Sequence, residues 1–250
     1  MKQRRVAGDG TPEDDWQSWP GLHSIATITA AELVPLKKRV VIVAPHPDDE
    51  ILMVGGLMQQ LHAQGTPCLL IAATDGEASH PGSAEWPRNR LQRERPLESL
   101  AALQALDIGL PEIRRLAYPD GGLASCASAL YDDLVHLLAP DDVVISTWVL
   151  DGHPDHEVCG TIAASAAAIH AAKFIEVPVW AWHWAAPADP RVPWSRARRL
   201  MLDADQVLRK QASMLAFHSQ LGADAGTGRE AVVPPSMLAR LSRPSEIFFL

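Results

Sequence analysis

Two short acidic histidine clusters, His46-Pro47-Asp48-Asp49-Glu50 and His153-Pro154-Asp155-His156, lie about a hundred residues apart. Imidazole and carboxylate donors gathered in this way suit zinc or iron(II) and leave a coordination position for water. His46 and Asp49, three residues apart at the start of a helical pattern, can aim at one point, and His156 from the second cluster completes a set of two imidazoles and one carboxylate. Asp48 then stands free beside the water, where a carboxylate acts as general base and later protonates a leaving amine. His153 is placed to flank the carbonyl oxygen and, when protonated, to stabilise its developing charge, with Asp155 orienting it. Carboxylates at a helix start also cap free N–H groups, a role that suits Glu50.

Such clusters need rigid elements to bring them together. Each follows a run of β-branched apolar residues, Arg39–Ala44 and Asp142–Val149, as expected for parallel strands buried on both faces. Behind the first cluster, Ile51, Leu52, Leu57, Met58 and Leu61 recur at helical spacing until Gly65. A strand over Pro67–Thr74, a helix over Arg90–Leu106 with a kink or late start at Pro96, a strand over Ile113–Ala117 and helices over 125–139 and 156–172 continue the alternation. This order predicts an open, mostly parallel, Rossmann-like α/β sheet flanked by helices, with the site at the carboxyl ends of the strands. Beyond it, Val177–Trp184 and Arg198–Asp203 read as strands, 204–218 as a helix and Glu246–Leu250 as an extended end. The first strand would carry Trp180, Trp182 and Trp184 on one face. Residues 1–22, polar and glycine-containing, read as a flexible arm pinned at its end by Trp16 and Trp19, and 23–250 as a single domain.

Composition narrows the partners. A formal charge of -8, from 22 basic and 30 acidic residues, argues against nucleic acid, whose phosphates demand Lys and Arg. No apolar run is long enough to span a bilayer and no hydrophobic signal core follows the basic opening, so a cytoplasmic protein without membrane partners is expected. Cys68, Cys126 and Cys159 are far apart and read as free thiols. A nucleotide-binding protein would place a glycine-rich phosphate loop where this chain has His-Pro-Asp-Asp.

At Ala44-Pro45-His46-Pro47-Asp48-Asp49-Glu50 and His153–His156 the chain resembles the LmbE-like, or PIG-L, deacetylases. These are zinc-dependent enzymes that remove an acetyl group from an N-acetylglucosamine-type amide and carry AHPDDE and HPDH boxes. Pro45 departs from the first box by standing between Ala44 and His46, and Leu106-Asp107 departs from the family's Leu-Gly. Thr74-Asp75-Gly76-Glu77, Arg95-x-x-Glu98 and Tyr118-Pro119-Asp120-Gly121-Gly122 extend the likeness over residues 38 to 184. The resemblance implies His46, Asp49 and His156 as metal ligands, Asp48 as base, His153 beside the oxyanion and Asp155 as its partner. Arg95 and Asp120 stand as substrate contacts, although Arg95 in its charged run also reads as a solvated helix face. Lys210–Gln220, with His218-Ser219-Gln220, and Arg243-Pro244-x-Glu246 are similar to a bacterial subgroup acting on diverse acyl-amino compounds.

The expected activity is metal-dependent hydrolysis of an N-acyl group, N-acetyl first, on an amino sugar or related glycoside. Zinc is the expected metal, with iron(II) or another dication as alternatives; the expected partner is that small molecule, in a chain that could also self-associate. The rival readings are an amidase for a sugar-thiol conjugate or antibiotic-like glycoside, and a non-catalytic metal- or sugar-binding protein.

Overall fold

The computed structural model describes Arg4, Val6 and residues 8–250. In chain order its strands are β1 (Thr27–Ile28), β2 (Val40–Ala44), β3 (Cys68–Thr74), β4 (Glu112–Tyr118), β5 (Val143–Thr147), β6 (Lys173–Val177), β7 (Ala197–Met201) and β8 (Ser245–Phe249). The helices begin with α1 (Glu13–Gln17), α2 (Pro20–His23), α3 (Ala30–Leu33), α4 (Asp49–Ala63), α5 (Arg88–Ala105) and α6 (Ala127–Leu137). They continue with α7 (Pro154–Ile169), α8 (Ala181–Trp184), α9 (Ala204–Met214), α10 (His218–Leu221) and α11 (Pro235–Leu241).

The strands form one sheet in the order β1-β7-β8-β6-β5-β2-β3-β4, parallel except for β8, which runs against β6 and β7. The mostly parallel α/β architecture expected from the alternation is therefore the one observed. Side-chain alternation splits β2 between two cores. Val40, Ile42 and Ala44 pack with α4, whereas Val41 and Val43 pack with Leu130 and Leu134 of α6 and Cys159 and Ala163 of α7. Covered on both faces, β2 and β5 are buried along their whole length, which accounts for their unbroken apolar sequence.

The chain leaves β2 toward β3 and β4 on one side, and β5 leads toward β6 on the other. The direction of winding therefore reverses between β2 and β5, the place where an open sheet leaves a crevice at its carboxyl end. Val40 pairs with Val143 and Val43 with Ser146, so both strands end level and their loops emerge side by side. This register makes neighbours of clusters a hundred residues apart. Gly160 lets α7 lie close on β5, since a Cβ there would meet the Thr147 carbonyl at 2.2 Å.

Three expectations differ from the structure. Pro178 cannot donate to a sheet ladder and β6 stops at Val177, so the tryptophan-rich segment turns into the single turn α8 instead of continuing as a strand. Residues 9–22, read as part of a flexible arm, are held against the body. Trp16 is fully buried, its Nε1–H donates to the Trp182 carbonyl at 3.0 Å, and Arg243 pairs with Glu13. Arg240 adds bonds to the Asp9 and Thr11 carbonyls, and Thr11 donates to His183 and Ala185, so several ties order the segment; residues 1–3, 5 and 7 of the proposed arm lie outside the described residues. Finally, α5 runs through Pro96, and the helix that breaks is α4, at Val54 (φ -139°, ψ 19°).

Candidate metal centre

His46 and Asp49 flank the turn from β2 into α4, and His156 lies in the first turn of α7. Asp49 Oδ2 lies 3.2 Å from His46 Nδ1 and 3.2 Å from His156 Nε2. Donors about 2.05 Å from a tetrahedral zinc would stand about 3.3 Å apart. The two distances from Asp49 to the sequence-chosen imidazoles thus match edges of a zinc polyhedron.

The remaining nitrogen of each imidazole is tied to carboxylate. His156 Nδ1 faces Asp151 Oδ2 at 2.8 Å. Asp151, fully buried, also accepts from the backbone N–H groups of Val179, Trp180 and Ala181. His46 Nε2 faces Asp120 Oδ1 at 3.2 Å and Asp155 Oδ2 at 3.4 Å. Such partners fix the tautomer, leaving His46 Nδ1 and His156 Nε2 as the metal-facing lone pairs, and they raise imidazole basicity.

This arrangement corrects two roles and adds a residue. The Asp155 carboxylate is turned to His46 and to the N–H groups of Gly121 and Leu123, so it does not orient His153. Its link to His153 runs through the backbone, where Asp155 N–H donates to His153 Nδ1 at 3.2 Å. Asp120, expected as a substrate contact, lines the cleft but spends its carboxylate on His46 and on Ala78 N–H. Asp151 escaped sequence reasoning. Its signal was its place in the same loop as His153 and His156, where a ligating imidazole needs a carboxylate for its second nitrogen.

Arg95 is buried on the inner face of α5, not solvated. Its guanidinium donates to the Gly76 and Pro47 carbonyls and pairs with Asp48 Oδ2 at 3.0 Å. Gly76 is required here, because a Cβ would sit 1.9 Å from the guanidinium and the φ is +67°. Asp48 itself has φ 122°, a conformation that an L residue adopts only under restraint. The restraint comes from Arg95 on its side chain and from Glu50, whose Oε2 accepts the Asp48 N–H at 3.0 Å. Asp75 pairs with Arg115 and lines a separate apolar cavity of about 690 Å³ that contains no imidazole.

Burial pushes the Asp48 carboxyl up to about 7, against the pull of Arg95. For Asp49 burial acts in the same direction, but His156 and His46 outweigh it and hold the carboxyl far below the usual range. Burial works against charge on His156, yet Asp49 and Asp151 bring it up to about 9. His46 is likewise raised, because Asp120, Asp155 and Asp49 overcome its burial. His153 goes the other way: burial and the neighbouring His156 and His46 push it down to about 3. It is therefore neutral, and with Nδ1 accepting from Asp155 its proton sits on Nε2 as a donor. The protonated His153 expected from the sequence is replaced by a neutral N–H. The surplus of carboxylates forces protons onto two imidazoles; a dication meets the same demand and displaces them.

The ligand atoms of His46, His153 and His156 all lie within 4.8 Å of one another, so the structure brings His153 to the same centre. The three open into a cleft of about 560 Å³ whose wall includes Asp48, Arg95, Trp180, Gln220 and Arg229. Among the described residues, no helix is long and apolar enough to cross a membrane.

Residues 41–167 match the family model described as PIG-L: GlcNAc-PI de-N-acetylase. The 1D-myo-inositol 2-acetamido-2-deoxy-alpha-D-glucopyranoside deacetylase of Nocardia farcinica (strain IFM 10152) is 28% identical over 167 residues, 57% of this chain and 56% of that protein. The chain thus spans little more than half the length of this curated relative. Among solved structures, the N,N'-diacetylchitobiose deacetylase from Pyrococcus horikoshii superposes with a TM-score of 0.56 at 19% identity, over 73% of this chain and 70% of the other. The 4-carboxy-2-hydroxymuconate hydratase GalB from Pseudomonas putida KT2440 superposes with a TM-score of 0.52 at 17% identity, over 73% and 80%. These two likenesses are of fold, and they span two reaction types.

Proposed function

Because the chain belongs to the PIG-L (GlcNAc-PI de-N-acetylase) family, we propose that it is a zinc-dependent hydrolase that removes an N-acetyl or related N-acyl group from an amino sugar or glycoside. The observation that carries this reading is the convergence of His46 Nδ1 and His156 Nε2 on Asp49 Oδ2 beside an Asp48 that holds none of them. His46, Asp49 and His156 hold the metal in this reading, with Asp120, Asp155 and Asp151 fixing the two imidazoles. When bound, the dication supplies Lewis-acid polarisation of the amide carbonyl and acidifies a water molecule.

The chain's own groups do the rest. Asp48, raised to about 7, has a basicity matched to taking the proton from attacking water near neutral pH. The same carboxyl returns that proton to the departing amine nitrogen, so the C–N bond breaks to give amine and carboxylate. Arg95 keeps the Asp48 carboxylate ionised enough to act and holds it toward the cleft. The Nε2–H of His153 donates to the carbonyl oxygen as its negative charge grows. A hydratase, the reaction of one fold neighbour, would add water to a C=C bond and release no acyl group. Incubating the zinc-loaded protein with N-acetylglucosaminides and measuring acetate tests the proposal: release that stops on His156→Ala supports it, and none from any acylated sugar or glycoside defeats it. His153→Ala is expected to retain zinc, in contrast to His46→Ala; loss of zinc there would move His153 into the ligand set.

A further inference from the structure

The two ends of the sheet are finished differently. β1 offers two residues, too few to template another strand, whereas β4 at the opposite end has seven. Among the described residues β4 makes no backbone hydrogen bond from its outer side. A free edge of that length is a template for another chain unless proline, lysine or a bulge blunts it. Here Pro111 stands just before the strand, and the register shift against β3 falls near its end, where Ala117 is left-handed (φ 53°). The stretch Glu112–Leu116 between them is left regular and open.

Successive side chains of the strand point to opposite faces, so Glu112 and Arg114 share one face and Ile113 and Arg115 the other. Glu112 and Arg114 pair with each other at 2.5 Å, both about half exposed. On the other face α5 stands off the end of the sheet and leaves the cavity of about 690 Å³ as an open groove. Leu70, Ala72 and Ile113 form its floor, and Pro96, Leu97 and Leu100 of α5 its wall. Leu97 is 59% exposed there. A free strand edge and an apolar groove thus adjoin at one end of the molecule.

The charges on this edge say what can cover it. When a strand pairs antiparallel with its own copy about a two-fold axis perpendicular to the sheet, one residue lies opposite itself and its neighbours exchange partners. Centred on Glu112, Arg114 or Arg115, such pairing sets like charges directly opposite, which is unfavourable. Centred on Leu116, it runs into the left-handed Ala117. Centred on Ile113, it places Glu112 of each copy opposite Arg114 of the other, twice, and brings the two Ile113 side chains together on the groove face. We propose that β4 pairs in this register with β4 of a second copy of the chain, which joins the two sheets into one and closes the grooves at Leu97. Because the paired strands run in opposite directions, the two clefts at the carboxyl ends of the strands lie at opposite ends of the dimer and stay open. The proposal stands apart from the reaction assigned to the cleft.

Sedimentation velocity of the full chain, from micromolar to millimolar concentration, tests it, with circular dichroism confirming that each variant is folded. The parent should dimerise. Arg114→Glu turns both cross-strand pairs into facing carboxylates and should raise the dissociation constant about tenfold or more, and Glu112→Arg should do the same with facing guanidinium groups. Combining the two substitutions restores both pairs with their signs exchanged and should bring the dimer back, a rescue that a general loss of surface charge balance would not give. Leu97→Asp, on the groove face, should weaken the dimer without touching the ladder. A parent that stays monomeric at every concentration, a dimer indifferent to both single exchanges, or a double variant as weak as the single ones overturns the inference. An unchanged constant in Leu97→Asp overturns the closing of the grooves.

Discussion

Helix α4 carries two buried charge clusters, one at its start and one at its middle, and they are built to opposite plans. At the break around Val54, Lys210 and Glu246 meet at 2.6 Å with both side chains 2% exposed. Lys210 also donates to the Leu52 carbonyl before the break, and Glu246 accepts the N–H groups of Gly56 and Leu57 after it. The pair replaces the helical bonds that the break removes, its charges cancel, and the adjoining space is only about 20 Å³. At the start of α4, Asp48, Asp49, Asp120, Asp151 and Asp155 face Arg95 and three imidazoles across a cleft of about 560 Å³. Burial of charge is common to both. What sets the candidate site apart is imbalance, strain at Asp48 and access.

The contrast is broken most severely at Asp48. Asp48→Asn removes one charge from a cluster that has too many, so zinc content by metal analysis and the thermal midpoint should stay close to those of the parent. Turnover should fall by about 10²–10⁴-fold, the usual worth of a general base. A variant that keeps its rate would assign the proton transfer elsewhere. In the balanced cluster the signs reverse: Glu246→Ala leaves Lys210 and two helix N–H groups unpaired and should cost about 3–5 kcal/mol in urea unfolding. Protein that does fold at low temperature should still bind zinc. A loss below about 1 kcal/mol would show that water replaces the carboxylate.

How visible each cluster was in the sequence follows from how it is made. The cluster at the start of α4 was legible because its residues are local: His46, Asp48 and Asp49 share one turn and His153, Asp155 and His156 another, each after an apolar run that read as a buried strand. Lys210 and Glu246 lie 36 residues apart. They meet across a helix break at Val54 that the adjoining Gly55-Gly56 pair marks, although the apolar spacing on both sides read as one helix, and only the family likeness of their segments drew notice. Asp151 was hidden for a related reason, since its partners are backbone groups of Val179, Trp180 and Ala181, which carry no sequence signature. Arg95 read as a substrate contact or a solvated helix face, and its pairing with Asp48 was missed because helical periodicity gives a face and not the depth of a neighbouring loop. The tryptophans of 180–184 alternate as a strand would, and Pro178 was the signal that outweighed the alternation.

Asp151 offers a finer cut. Asp151→Asn keeps the shape and, through one oxygen, the bonds from Val179 and Ala181, but replaces the oxygen that takes the Trp180 N–H and faces His156 and removes the charge that makes His156 basic, so zinc affinity measured against a competing chelator should drop about 10–100-fold. Fold stability should change less than in Glu246→Ala, because an amide oxygen still accepts part of the backbone set. An unchanged zinc affinity would mean that Asp151 only anchors α8.

The smallest expected effect concerns Arg95, the guanidinium that pairs with Asp48. Arg95 opposes the burial that pushes Asp48 up to about 7, so its removal moves the Asp48 pKa further upward. Asp48 works as a base only when deprotonated, and the rate therefore rises with pH through its pKa. In Arg95→Met the acidic limb of the kcat profile should lie at higher pH than in the parent, with the plateau reached later. Bound zinc adds positive charge beside Asp48 and moves the limb of both proteins downward, which leaves the sign of the difference intact. A lower plateau with an unmoved limb would show that Arg95 acts by holding the Pro47 and Gly76 carbonyls alone. Arg95→Lys separates the two effects, since it restores the charge without the forked donors and should return the limb toward the parent position while the plateau stays low.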